Sequence, residues 1–176
     1  MPTTELSPEL VRAAGLIREI PDYPEPGILF RDITPLLADA AALKATTEAL
    51  IAPFEGSYDV VAGIEARGFI LAGAAAIAAG VGFVPIRKAG KLPRPAASVD
   101  YALEYGTATI EMHDDLPAGT RMLLIDDVLA TGGTLAAGRQ LVERLGCHIA
   151  GISVLFEIAG LGGRELIGDL HTVFHS

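Results

Sequence analysis

The hydrophobic and polar positions of the chain alternate between short apolar runs and longer segments of helical period. The apolar runs, which predict strands, fall at residues 28–33, 58–64, 81–87, 107–113, 123–125 and 149–156. The segments that predict helices fall at residues 7–20, 38–51, 69–79 and 135–145. Ser7 and Pro8 suit the start of the first helix, and Gly146 suits the end of the last. This alternation predicts one α/β domain over residues 1–176, with a parallel sheet that carries helices on both faces.

Three segments stand apart from this alternation. Residues 1 to about 35 predict a small N-terminal hood. Residues 88–103 contain two prolines and no sustained period, so they predict a long loop, or a mobile flap that extends to about residue 106. The tail after Phe156 carries no motif, and from Gly160 onward it predicts a short helix and a final edge strand. We expect neither this tail nor Cys147 to touch a functional site.

Composition limits the classes of partner. The net charge of −9 argues against binding nucleic acid or an anionic membrane over the whole surface. The most apolar stretch, residues 69–84, is short and interrupted by glycines, and the N-terminus has no leader pattern. The single cysteine, Cys147, permits no internal disulfide, so we expect a buried thiol and a cytoplasmic location. An anionic substrate must therefore be captured by a local group of cations.

The most informative group of candidate functional residues follows the apolar strand Leu123–Ile125. Asp126 and Asp127 come directly after it, at the carboxyl edge of the predicted sheet, where they can accept hydrogen bonds from ribose hydroxyls. The turn Ala130–Thr134 then opens a helix, and backbone N–H groups at a helix N-terminus favour an anion. The pattern predicts a site for ribose 5-phosphate. The alternative is a solvated strand end whose helix is capped by Thr134, and capping is compatible with phosphate binding.

A second strand end repeats this arrangement and adds cations. Within Gly63–Phe69, which joins a strand to a helix, Arg67 can form a fork to phosphate oxygens. The segment Arg87–Arg94 supplies four cations in eight residues. Taken alone, these segments would be a surface turn and a solvated loop. Beside a ribose phosphate site they predict a cradle and a closing flap for pyrophosphate, whose charge is too great for one loop.

Two further groups of residues gain meaning only beside such a site. Glu104, with Tyr105 next to it, lies at the far end of the flap. It can accept a hydrogen bond or proton from a purine, or stabilise positive charge on the sugar. Phe30 can stack on a flat base while Arg31 hydrogen-bonds the edge of that base. Without this context Glu104 would be a surface carboxylate, and Phe30 a core residue.

The order of five motifs resembles that of the adenine phosphoribosyltransferases, within the type I phosphoribosyltransferase family. The motifs are Pro-Gly-Ile-Leu-Phe-Arg-Asp-Ile-Thr-Pro, Gly-Ile-Glu-Ala-Arg-Gly-Phe, Ile-Arg-Lys-Ala-Gly-Lys-Leu-Pro, Tyr-Ala-Leu-Glu-Tyr-Gly and the signature over residues 123–135. The signature marks the wider family, and the first and fourth motifs look particular to the adenine enzymes. The resemblance implies the type I fold and purine salvage: adenine and phosphoribosyl pyrophosphate (PRPP) give AMP and pyrophosphate. It also implies Mg²⁺ held mainly by PRPP, and a homodimer.

By motif position, the resemblance implies a role for individual residues. Arg87 would reach across from a neighbouring subunit. The implied contacts are Leu29, Phe30, Arg31 and Val128 for adenine; Asp126 and Asp127 for the ribose hydroxyls; Ala130, Thr131, Gly132, Gly133 and Thr134 for the 5′-phosphate; Glu65, Ala66, Arg67, Arg87, Lys88 and Lys91 for pyrophosphate; and Glu104 and Tyr105 for catalysis.

Two alternatives stay open from the sequence. A phosphoribosyltransferase for guanine, hypoxanthine, xanthine or orotate would share the signature, although Phe30, Arg31 and the Leu-Glu-Tyr-Gly motif argue against it. A regulatory protein that keeps the fold as a PRPP sensor and binds DNA or protein is the second. Such a protein should carry an added DNA-binding module or a basic face, which the acidic balance does not favour. The four histidines lack metal-ligand spacing.

Overall fold

The computed structural model of the chain describes residues 6–102 and 106–175, in two compact units. The first unit ends at Ala49 and the second begins at Leu50. The N-terminal unit is therefore larger than the predicted hood of about 35 residues. That the whole chain is a single domain stays a prediction.

The N-terminal unit combines helices with a two-stranded hairpin. Its elements are α1 (Pro8–Ala14), β1 (Arg18–Pro21), β2 (Leu29–Asp32), α2 (Thr34–Ala38) and the larger part of α3 (Ala40–Ile51). The oxygen of Ser7 accepts a hydrogen bond from the backbone N–H of Leu10 at 3.2 Å, which confirms the predicted start of α1. Pro35 lies in the first turn of α2, a short helix that the pattern did not predict.

The predicted end of the first helix, near Ile20, is wrong. The helix ends at Ala14, and β1 pairs with β2 in antiparallel register, with Ile20 opposite Phe30. Cross-strand pairing of this kind depends on a partner segment, so a helical period read along one segment does not reveal it.

The larger unit contains the predicted alternation of strands and helices. Its elements are β3 (Val60–Ile64), α4 (Arg67–Ala79), β4 (Gly82–Lys88), β5 (Ala97–Ala102), β6 (Thr107–Met112), β7 (Arg121–Leu129), α5 (Gly133–Arg144), β8 (His148–Glu157), α6 (Gly163–Ile167) and β9 (His171–His175). The predicted short helix and edge strand of the tail are present as α6 and β9. Cys147 is buried just before β8, and burial raises the pKa of its thiol.

These seven strands form one mixed sheet in the order β5-β6-β4-β3-β7-β8-β9. The five strands from β4 to β9 in this order are parallel, and β6 and β5 join them in antiparallel fashion. The sheet is thus not purely parallel. The predicted loop over residues 88–103 is wrong in its second half, because Ala97–Ala102 pairs along β6. In the parts of the chain that the structure describes, no helix is long and apolar enough to cross a membrane.

Helices cover both faces of the sheet, as predicted. A Cβ added to Gly63 would lie 2.6 Å from the Cβ of Ala72 in α4, so that face of β3 meets α4. The neighbouring Ile64 points to the other face, where its Cδ1 would lie 3.3 Å from a Cβ on Gly138 of α5. Connections run from β3 to β4 in one direction and from β7 to β8 in the other. The carboxyl ends of the neighbouring strands β3 and β7 therefore form a topological switch point, where open α/β sheets bind ligands.

Candidate functional site

The two predicted phosphate-binding segments meet at this switch point. The pairing of β3 with β7 ends at Gly63 opposite Ile125, so Asp126 and Asp127 lie beyond the last paired residue of β3. β7 is longer than predicted, because it continues beside β8 as far as Leu129. Asp126 and Asp127 thus lie on a part of β7 that adjoins β8 but extends past β3. On the side that β3 leaves open, Asp126 lies close to Gly68 at the start of α4.

Asp126 and Asp127 form a buried acidic pair that is joined to the neighbouring helix. Each residue is 8% exposed. The backbone N–H of Asp127 donates to Oδ1 of Asp126 at 2.8 Å, and the Asp127 carboxylate forms an ion pair with the guanidinium of Arg67. Burial, and then the adjacent Asp127 charge, raise the pKa of Asp126 well above its ordinary value. Arg67 therefore connects the predicted pyrophosphate segment to the predicted ribose segment.

The helix that carries Arg67 approaches β7 closely, because its second residue is glycine. A Cβ on Gly68 would lie 2.9 Å from Oδ1 of Asp126 and 3.1 Å from the carbonyl oxygen of Ile125. Any side chain at this position would separate α4 from the acidic pair. Glycine is thus what brings the two segments within ion-pair distance.

The turn Ala130–Thr134 leads from β7 into α5. The helix begins at Gly133, and Gly132 is its N-cap, with a φ of +83° that favours glycine. Because the cap residue is a glycine without a side chain, the alternative in which Thr134 caps the helix is wrong. Thr134 instead lies inside the first turn of the helix, partly exposed, because the preceding glycines take the chain through the cap position.

The tail of the chain packs against this turn, contrary to expectation. A Cβ on Gly163, the first residue of α6, would lie 2.2 Å from the carbonyl oxygen of Ala130. A Cβ on Gly132 would lie 3.0 Å from the carbonyl oxygen of Gly163. The two segments are thus in close contact through glycines on both sides. The tail has one sequence signal that could have indicated this contact, the run Gly160-Leu-Gly-Gly163.

Two of the predicted pyrophosphate cations, Arg87 and Lys91, form ion pairs with Glu65. Its side chain, 9% exposed, accepts hydrogen bonds from Nζ of Lys91 at 2.8 Å and from the backbone N–H of Lys88 at 3.0 Å. The bond from Lys91 is the main cause that lowers the pKa of Glu65 to about 2. The Glu65–Ala66 peptide bond is cis. The Glu65 carboxylate thus holds the neighbouring cations in place. The contacts of Glu65 and Ala66 with pyrophosphate stay predictions.

Arg87 belongs to the same cluster. Its Nε lies 3.5 Å from Oε2 of Glu65, and its Nη1 donates to the carbonyl oxygen of Lys91 at 3.1 Å. These contacts lie within one chain. The implied reach of Arg87 into a neighbouring subunit stays a prediction.

The predicted adenine contacts are divided between the two units. Leu29, Phe30 and Arg31 lie on β2 of the N-terminal unit. The ring of Phe30 stands edge-to-face against Tyr23 with centroids 5.2 Å apart, and Arg31 forms an ion pair with Glu19. Val128 lies on β7, partly exposed. The sandwich of adenine between these side chains stays a prediction.

The predicted catalytic residues, Glu104 and Tyr105, lie outside the described residues. On either side of the undescribed residues, β5 ends at Ala102 and β6 begins at Thr107. A Cβ on Gly133 would lie 3.1 Å from the carbonyl oxygen of Ala102. The end of β5 therefore adjoins the Ala130–Thr134 turn.

The acidic pair is also a suitable donor set for Mg²⁺. This ion commonly binds one or two carboxylates together with substrate phosphates, and Asp126 and Asp127 supply such carboxylates at the sheet edge. Within residues 6–102 and 106–175, no group of three or more His, Cys, Asp and Glu side chains is arranged to hold a metal ion.

Comparisons with known proteins agree with this arrangement. A family model described as "Phosphoribosyl transferase domain" matches residues 32–169. The adenine phosphoribosyltransferase of Arthrobacter sp. (strain FB24) is 58% identical over 154 residues, which are 87% of this chain and 83% of the relative. The crystal structure of the adenine phosphoribosyltransferase of Rhodothermus marinus DSM 4252 matches with a TM-score of 0.89 and 48% identity, over 96% of this chain and 98% of that one. The Saccharomyces cerevisiae enzyme, complexed with an imino-altritol bisphosphate and adenine, matches with a TM-score of 0.86 and 34% identity, over 93% and 96% of the chains.

Proposed function

The chain belongs to the adenine phosphoribosyltransferase family, and from this premise we propose that it transfers the 5-phosphoribosyl group of PRPP to adenine. The products are AMP and pyrophosphate. The observation that carries the proposal is the ion pair between Arg67 and Asp127, which joins the segment suited to pyrophosphate with the segment suited to ribose 5-phosphate. A substrate that contains both groups is the ligand such a joined site fits.

The chemistry consists of one substitution at the anomeric carbon of the ribose. A nitrogen of adenine forms a bond to this carbon, the carbon–oxygen bond to pyrophosphate breaks, and the nitrogen loses its proton. Positive charge develops on the ribose as pyrophosphate leaves. Catalysis then depends on positioning and on charge stabilisation rather than on a covalent protein nucleophile.

The residues of the switch point divide this task. Asp126 and Asp127 hold the ribose hydroxyls, and the N–H groups of the turn Ala130–Thr134 hold the 5′-phosphate. Arg67 and the cations held by Glu65 contact pyrophosphate and stabilise it as it leaves. Asp126 and Asp127 would hold Mg²⁺ together with PRPP, and the ion would supply further neutralisation of charge on the leaving group.

Glu104 is proposed to act at the base. Its carboxylate either accepts the purine hydrogen bond and proton or stabilises the positive ribose. Leu29, Phe30 and Val128 are proposed to enclose adenine, with Arg31 at its edge. The adenine held by the related yeast enzyme supports this choice of base.

A homodimer in the cytoplasm completes the proposal. Ile70 and Ile77 on α4, and Phe83 on β4, are exposed apolar side chains of the kind that a subunit interface covers, and Ile77 is 85% exposed. The single buried cysteine suits a reducing compartment. Sedimentation velocity over a range of concentrations tests the dimer, and a monomer at every concentration would contradict it.

The test of function is product formation from PRPP and Mg²⁺ with adenine, hypoxanthine, guanine and orotate in parallel. AMP from adenine alone is the expected result. Turnover of another base would retain the PRPP site and overturn the assignment of Leu29, Phe30 and Arg31. PRPP binding without turnover of any base would favour the sensor alternative.

A further inference from the structure

The short helix α6 forms one wall of the Ala130–Thr134 turn, and it is too short to hold its own position. It has five residues, and isolated helices of this length are not stable in water. Its first residue, Gly163, contacts the carbonyl of Ala130, and its Ile167 lies 3.2 Å from a Cβ built on Gly132. The position of α6 is therefore transmitted directly to the backbone of the turn.

One side chain connects α6 to the edge of the sheet. Nε of Arg164 donates to both carboxylate oxygens of Glu157, at 2.8 and 3.1 Å, and its Nη2 also contacts Glu157. The same guanidinium donates to Oγ1 of Thr172 at 2.8 Å and to the carbonyl oxygen of Leu170 at 3.2 Å. The planar guanidinium of Arg164 thus joins the carboxyl end of β8 to the start of β9.

The place of Glu157 makes this contact relevant to the site. In the sheet, Glu157 lies opposite Leu129, the last residue of β7 before the turn. Its side chain is 13% exposed, and the hydrogen bonds from Arg164 are the main cause that lowers its pKa. A charge-assisted bond at a largely buried carboxylate is stronger than an ion pair in solvent. Arg164 therefore fixes α6 at the strand end from which the turn begins.

We infer that Arg164 is a positioning residue for the phosphate-binding turn, which acts through Gly163 and raises the affinity for PRPP. The inference rests on the proposed function of that turn. The guanidinium of Arg164 donates to Glu157, Leu170 and Thr172, so its proposed effect on the turn passes through α6. Small displacements of such a backbone matter, because phosphate is bound by N–H groups whose directions must converge on it.

Arg121 offers a matched control at the start of β7. Its guanidinium also holds a carboxylate through two nitrogens, with Nε 3.1 Å and Nη2 2.6 Å from Asp59, and it contacts the carbonyl oxygen of Gly56 at 3.4 Å. It lies at the opposite end of the strand from the turn. Arg121→Met therefore removes a similar fork without touching the wall of the turn.

The experiment measures the affinity for PRPP with Mg²⁺ by calorimetry, together with kinetics and thermal unfolding, in Arg164→Met, Arg164→Lys and Arg121→Met. Arg164→Met should weaken PRPP binding at least about tenfold and raise the KM for PRPP by the same factor. Both kcat at saturating PRPP and the KM for adenine should stay within about threefold of their wild-type values. Arg164→Lys should recover part of the affinity, because one ammonium group reaches Glu157 but not the other two acceptors. Arg121→Met should keep the wild-type affinity.

Gly163→Ala tests the same inference without altering the ion pair. Its new Cβ meets the Ala130 carbonyl, so PRPP affinity should fall at least about tenfold. Gly73→Ala, where a Cβ meets nothing within 4 Å, should retain the wild-type affinity.

The inference is overturned if Arg164→Met binds PRPP within about twofold of wild type, or if Arg121→Met loses as much affinity as Arg164→Met. Failure of the proposed function would show in the wild-type protein, as PRPP binding without AMP formation, and would leave the comparison of variants intact. If the wild-type protein binds no PRPP, both are overturned.

Discussion

At the scale of the residue, the acidic pair carries the ribose assignment. Replacing both Asp126 and Asp127 by alanine removes every carboxylate acceptor at the end of β7, so PRPP affinity should fall at least about tenfold, as expected for lost hydrogen bonds to charged groups. Calorimetry with PRPP and Mg²⁺ measures the loss. The control replaces Asp114 and Asp115, an adjacent exposed pair in the loop before β7, and should bind PRPP normally. Unchanged affinity in the first variant would contradict the ribose assignment.

Glu65 makes a second prediction at this scale, on stability against pH. Its pKa is lowered from 4.5 to about 2 in the folded protein, chiefly by Lys91, so its contribution is fully present above pH 4.5 and is lost as the pH falls towards 2. Glu65→Gln should therefore be less stable than wild type by about 1–2 kcal/mol near neutral pH, since solvent screens the half-exposed Lys91, with a difference that vanishes towards pH 2. Urea unfolding at a series of pH values measures it. A difference that stays constant across this window would show that the cations do not stabilise the Glu65 charge.

At the scale of the element, the approach of α4 to β7 decides whether the two phosphate segments form one site. Gly68→Ala places a Cβ against Asp126 and Ile125, so unfolding free energy should fall by about 1–3 kcal/mol and PRPP binding should weaken. Gly73→Ala in the same helix meets no atom within 4 Å and should gain up to about 1 kcal/mol. Chemical unfolding and calorimetry compare the two. If both variants had the same free energy of unfolding and the same PRPP affinity, α4 could move away from β7 without loss of stability or binding.

At the scale of the whole molecule, an acidic protein must bind a polyanion. The net charge of −9 repels an anion such as PRPP at long range, whereas Arg67, Arg87, Lys88 and Lys91 are proposed to attract it locally. Salt screens exposed charges, so the KM for PRPP should rise about threefold from low to physiological salt, and the KM for neutral adenine should not. Lys88→Gln should reduce this salt dependence. Lys44→Gln, which removes the same charge from an exposed ion pair with Glu48, should retain the salt dependence. An equal salt dependence of the KM for PRPP in the two variants would contradict local capture.

Much of the site was predictable because its parts are continuous in the chain. The strand, the acidic pair, the turn and the helix of residues 121–144 follow one another, and each is encoded by neighbouring residue types. The same holds for β3, the Glu65–Arg67 loop and α4. Thr134 shows the limit of this reasoning, since it is a good capping residue by type. The two glycines before it begin the helix earlier, and they pack against distant segments: Gly132 against Gly163, and Gly133 against Ala102.

The sequence by itself determined the alternation of strands and helices from β3 to β8 apart from β5, the residue types at the strand ends, and the family. Only the tertiary structure decided that Arg67 pairs with Asp127, that Arg87 and Lys91 pair with Glu65, and that the tail packs against the turn. It also decided that residues 18–21 and 97–102 are strands. The physical reason is that hydrophobic period and local residue type report contacts along one segment. Ion pairs and strand pairing between distant segments depend instead on which surfaces are buried together.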